Sequence, residues 1–306
     1  MKIKLISIIS ISAISIYANA NLLRSAGLYY TPEKQVEANT TMSYGSRERT
    51  QNSTTLKTSY GTAGVRFEHG ISENLSWGSS VSYGMGNNER KTTQSLIKDN
   101  YQGLLDPELS LKSHFSTENF RFHLNGIFAL KSEAMVLNYE HTPINFSSGG
   151  STLALLTGAE GAFGPTLLGI DLRGDIWKDK QEIVEKNAAQ IETLYFRQGG
   201  KIITSSLFAE LNNMKTIKPG IRFRASQINE SQTDIKDNQR LTSTSISKYS
   251  LPRETQLSAS IYGRVRLPTH FILNFEVFAM DSSFDSTILA KHNSSYGMAS
   301  FVGYKF

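Results

Sequence analysis

Charged and apolar side chains fall on opposite parities along most of this chain, and that constraint decides what it can fold into. The clearest stretch places Val65, Phe67 and His69 on one face, turns at Ser72-Glu73-Asn74, and returns through Leu75, Trp77, Ser79, Val81, Tyr83 and Met85 on that same face. Arg66 and Glu68, then Ser76, Gly78, Ser80 and Ser82, occupy the other. A period of two is the pattern of strands whose two faces meet different surroundings. Four more hairpins are expected at Ser116-Thr117-Glu118-Asn119, Gly164-Pro165, Asn212-Asn213-Met214 and Pro268-Thr269-His270. Each is flanked by alternate apolar residues, such as Phe120, Phe122 and Leu124 or Leu168, Ile170 and Leu172. With a first strand near Gln35 to Gly45 and a last near Ser294 to Phe306, the count reaches about 12.

Tight turns alternate with long polar connections: 46–55, 86–103, 131–149, 178–197, 229–250 and 281–291. An even strand count with short turns on one rim and long loops on the other predicts an all-β fold, a transmembrane antiparallel up-and-down β-barrel. Closure is what a bilayer demands, because an open sheet edge in hydrocarbon leaves backbone groups without partners. The mean hydropathy of −0.29 does not oppose this, since only alternate residues of such a strand meet lipid. The only long apolar run is Leu5 to Tyr17, which follows Met1-Lys2-Ile3-Lys4 and precedes Ala18-Asn19-Ala20. It reads as a signal peptide over 1–20, leaving 21–306 as the barrel. The chain has no cysteine, which excludes disulfides, thiolate metal sites and Cys-His catalysis. The net charge of +5 falls to about +3 without Lys2 and Lys4, too little to argue for nucleic acid.

The end of the chain supplies a resemblance. Phe306, Tyr304, Val302, Ser300, Met298 and Tyr296 alternate with Lys305, Gly303, Phe301, Ala299 and Gly297. This resembles the carboxyl-terminal strand of bacterial outer-membrane β-barrels, of no specific family. The resemblance implies a Gram-negative outer membrane with lipid and lipopolysaccharide as surroundings, termini in the periplasm, and recognition of Phe306 by the barrel-insertion machinery.

Function is expected on the polar parity. Lys218, Arg222 and Arg224 fall on the ninth strand and Arg264 and Arg266 on the tenth, five cations on one wall, with Glu210 and Glu276 on neighbouring strands. The arrangement resembles the constriction of a porin, where rings of basic side chains favour anions. It equally describes ion pairs that fill a narrow barrel. Enzymatic alternatives rest on less. His292 and Ser294 make a His-x-Ser pair that looks like the pair of lipid A deacylases, without the flanking motif. His141 and Asp281 are available for an omptin-like site, at no specific spacing. The expectation is therefore a channel or transporter for small polar, including anionic, solutes, with no cofactor, metal or catalytic residue. The alternatives are a non-transporting surface barrel and a hydrolase at the outer rim.

Overall fold

The alternating segments pair almost entirely in chain order. The computed structural model describes residues 33–51, 54–92, 96–133, 135–137, 146–147, 149–177, 181–186, 192–197, 200–211, 216–229, 231–236, 247–251, 253–266, 271–284 and 292–305. Its strands are β1 (Val36–Gln51), β2 (Thr54–Ser72), β3 (Leu75–Lys91), β4 (Leu96–Leu104), β5 (Glu108–Ser116), β6 (Phe120–Ala129), β7 (Met135–Leu137), β8 (Thr152–Phe163) and β9 (Thr166–Trp177). They continue with β10 (Gln181–Lys186), β11 (Glu192–Arg197), β12 (Lys201–Leu211), β13 (Ile217–Ile228), β14 (Ser231–Lys236), β15 (Ser247–Leu251), β16 (Glu254–Arg266), β17 (Phe271–Phe284) and β18 (His292–Lys305).

Thirteen of these segments form one antiparallel sheet, and pairing of β2 with β3 closes it. β4 and β5 pair with successive stretches of β3 and share one place in the ring, so the barrel has 12 strands. One hydrogen-bonded row starts at Glu89 and passes Lys57, Glu48, Ser294, Asp281, Leu257, Ala225, Ser205, Leu172, Thr157, Leu124 and Ser113. It regains β3 at Leu75, 14 residues from its start (89 less 75). For 12 strands this shear gives a tilt of about 40° and a backbone radius of about 11 Å.

The outward parity is apolar and exposed, from Leu211 and Val302 at 41% to Ile261 at 66%. So large an apolar surface marks a membrane face rather than a water-facing one. Allowing about 1.2 residues of stagger per strand, outward Tyr44, Tyr83 and Tyr296 stand at nearly one height. Phe67, Trp77, Phe115, Phe120, Phe122 and Phe163 line the short-turn end along β2, β3, β5, β6 and β8. An outward apolar band about 25 Å tall between aromatic girdles is the pattern of an outer-membrane barrel, and this surface has that character.

Three of the expected tight turns are observed. Gly164 takes φ 58° ahead of Pro165, as a two-residue hairpin between Phe163 and Thr166 requires. The turns at 212–214 and 268–270 fall outside the described residues, wholly or for the most part, as do the leader 1–20 and Phe306.

The long connections differ from expectation. Pairing of β1 with β2 continues to Gln51–Thr54, and pairing of β3 with β4 to Lys91–Leu96, so 46–55 and 86–103 are mostly strand. Segments β7, β10, β11, β14 and β15 form a second, five-stranded sheet from what read as loops. Above the belt both faces of a strand meet water, and polar residues on both parities erase the alternation that marks strands below. An exposed Glu89–Lys98 ion pair of 2.8 Å on these extensions shows the effect. Leu56, Thr58 and Tyr60 lie on the opposite parity from Val65 and Phe67, a switch for which a bulge or a strand end above the membrane is the expected cause; no bulge is present there. Register runs unbroken from Thr54 to Gly70, and Thr58 and Tyr60 face inward.

Candidate functional site in the barrel interior

Inward charges must find partners, because a buried ion without one costs several kcal/mol. Strands two places apart are about 10 Å from each other, within the combined reach of Arg and Glu if nothing stands between them. The interior is built on that rule. His123 of β6 meets Asp171 of β9 at 3.1 Å, and the residue paired with both on β8 is Gly158. Glu68 of β2 meets Lys112 of β5 at 2.7 Å, past Ser76 and Gly78 of β3. Arg264 of β16 meets Glu210 of β12 at 2.7 Å, past Gly220 of β13. Arg222 and Arg224 of β13 both reach Glu276 of β17, at 3.5 and 3.2 Å, past Ser258 and Ser260 of β16. Glu68 also takes Arg66 at 3.0 Å and a hydrogen bond from the Ser76 hydroxyl.

The expected cationic wall is thus placed as follows. Arg222, Arg224 and Arg264 face inward, buried, and are ion-paired to Glu276 and Glu210, themselves 2% and 1% exposed. Lys218 faces inward and is half-buried. Arg266 ends β16 opposite Ile272, and its side chain lies outside the described set. The side chains of His292 and Ser294 and all of His141 lie outside it too, while Asp281 faces outward at the rim.

Sequence reading missed the aromatic half of the site. The Arg222 guanidinium lies over the Phe208 ring at 5.7 Å and the Tyr262 ring at 4.9 Å. Tyr262 lies flat over Gly220 and Phe208 over Gly169, each glycine being the direct cross-strand partner. Tyr60 covers Gly45, Tyr101 covers Gly86 and Phe278 covers Gly297 in the same way. An aromatic residue on the inward parity opposite an inward glycine was the available signal.

Along most strands the inward residues change character with height. Near the short turns stand Arg121, His123, Glu160 and Glu210; near the long connections stand Ile127, Ala129, Ala154, Leu156, Trp177, Ile202 and Ile228, all buried. Among the described residues, several buried polar atoms of the charged half have no hydrogen-bond partner, among them Glu210 Oε1, Arg222 Nε, Asn125 Oδ1 and the Tyr262 hydroxyl. Among the described residues no group of acidic and histidine side chains could hold a metal.

Solved structures of similar fold are outer-membrane proteins. An outer membrane channel from Pseudomonas putida F1 is 8% identical, with a TM-score of 0.61 over 90% of this chain and 97% of that one. The transport unit of the autotransporter AIDA-I from Escherichia coli is 10% identical, with a TM-score of 0.51 over 95% and 97%. Likeness at this identity is of fold, and the chain has the fold of outer-membrane β-barrels. No protein-family model matches the chain, and no curated protein matches it.

Proposed function

We propose that the protein is an outer-membrane channel for small polar solutes, with anions modestly favoured, whose selectivity is set by Arg222, Arg224, Arg264, Glu210 and Glu276 together with Lys218 and Arg266. The observation that carries this reading is a polar, ion-paired interior inside a closed lipid-facing belt. A barrel with only a structural task could fill its interior with apolar side chains, whereas hydrogen-bonding atoms that no protein group uses suit water and polar solutes. Glu68 faces Arg66 and Lys112, with Glu37 acting on the same lysine, and Glu276 faces Arg222 and Arg224, with Asp171 acting on the latter. Charges of both signs suit polar solutes, while the cations Arg222, Arg224, Arg264 and Lys218 on adjoining β13 and β16 suit anions. No residue is assigned a catalytic role.

The same reading places the tight turns and both termini in the periplasm, lipid and lipopolysaccharide around the belt, and Phe306 in the hands of the insertion machinery. Cysteines introduced at Lys98 and Glu118 test the orientation, against a background free of native thiols. An impermeant thiol reagent applied to intact cells labels Lys98→Cys and spares Glu118→Cys; the reverse pattern inverts the barrel. In planar bilayers the purified barrel gives discrete conductance steps. Silence from folded protein refutes the channel and leaves a non-transporting barrel or a rim hydrolase.

A further inference from the structure

Just above the charged half, residues 146–147 lie against the inner wall of the barrel. Phe146 is buried there, stacked on Tyr101 with ring centroids 5.0 Å apart and clustered with Tyr60 and Leu105. Its ring lies against the inner wall at Gly84 of β3, where even a methyl group would stand 2.6 Å from it. Only glycine at 84 leaves this place for the ring, and Phe146 was invisible to parity reading because it belongs to no strand.

A polar latch holds the limb in place. Asp106 is buried at the break between β4 and β5, where the inward parity changes from odd to even. Its Oδ1 accepts from the Ser132 backbone N–H at 2.9 Å and from the Ser132 hydroxyl at 2.8 Å. The Ser147 hydroxyl stands 2.9 Å from the same oxygen and 2.6 Å from the Glu133 carbonyl, and donates to one of them. Gly149 N–H donates back to that hydroxyl at 3.2 Å. One carboxylate thereby ties both limbs of the connection to the barrel wall beside the residue that follows Phe146.

We propose that Phe146 is the outer constriction of the pore, the residue that sets the upper size of solutes admitted, and that Asp106 is its positioning residue. This rests on the channel reading. The cluster of Phe146, Tyr101, Tyr60 and Leu105 is an apolar patch on the inner wall at the long-connection end, above the level of the charged half. Hydrophobic constrictions resist water and ions by dewetting as well as by size.

The test compares wild type, Phe146→Ala and Asp106→Ala in planar bilayers and in swelling of vesicles exposed to neutral sugars of increasing size. Both variants should raise single-channel conductance by about twofold or more and admit a larger sugar. The readout for Asp106 as positioner is a cysteine at Ser147: shielded from an impermeant thiol reagent in the parent, labelled rapidly once Asp106→Ala is added. Conducting wild type with unchanged conductance and sugar limit in Phe146→Ala overturns the constriction and leaves the channel standing. Silence in all three, from folded barrels, overturns the channel reading and the constriction with it. Unaltered labelling of Ser147→Cys in the Asp106→Ala background removes Asp106 from the proposal.

Discussion

Inside the barrel, the half next to the short turns carries most of the buried ion pairs, and the half next to the long connections carries two apolar clusters beside buried Asp106, Glu254 and Gln256. The first contains the Glu276, Glu210, Glu68 and Asp171 pairs, and the second contains Trp177, Ile202 and Ile228 in one cluster and Tyr60, Tyr101, Leu105 and Phe146 in another. A lumen of uniform purpose has no reason to change chemistry with height. Under the channel proposal the difference divides the tasks: the charged half would discriminate by charge, and the apolar half would narrow the entrance.

Removing one carboxylate should expose the contrast most strongly. Glu276→Ala leaves Arg222 and Arg224 buried without their shared anion, and should cost about 3–5 kcal/mol of stability in urea unfolding from vesicles. Ile202→Ala in the apolar half removes packing alone and should cost about 2–4 kcal/mol. The two losses should also differ in kind: replacing Arg222 and Arg224 together should recover part of the Glu276→Ala loss, whereas nothing in the charged half should recover Ile202→Ala. A charge on the outer wall provides the next largest effect. Ile170→Arg places a cation near mid-belt on the lipid face, at about 2–4 kcal/mol, seen as less folded, heat-modifiable barrel. Gly220→Ala is smaller. Its methyl group collides with the Tyr262 ring, which must lift from the wall and release the Arg222 guanidinium, at about 1–3 kcal/mol by unfolding. A Gly220→Ala barrel as stable as the parent would show that the aromatic cover over glycine is incidental.

How much of this the sequence carried depends on what surrounds each residue. Within the belt, lipid on one side and a polar interior on the other enforce alternation, and inward Arg66, Glu68, His123, Asp171, Arg222 and Glu276 were all legible from parity. Above the belt water touches both faces, and β7, β10, β11, β14 and β15 read as loops because nothing there separates the parities. Tyr60 misled for another reason. Aromatic residues suit both lipid and the space over an inward glycine, and only the pairing of Tyr60 with Gly45 decides between them. The five cations were found without their partners' geometry, since ion pairs that skip a strand depend on which Gly or Ser falls between, a matter of register that one strand's sequence does not state.

The reversal potential across a salt gradient tests the central claim most directly, because it responds to fixed charge and not to apolar packing. Glu276→Gln frees the charge of Arg222 and Arg224 and should move selectivity toward anions. Arg264→Gln frees that of Glu210 and should move it toward cations. Both displacements should shrink at 1 M salt, where the Debye length is about 3 Å. Opposite shifts of this kind are the predicted result; a reversal potential that neither substitution moves, in barrels that still conduct, contradicts the account.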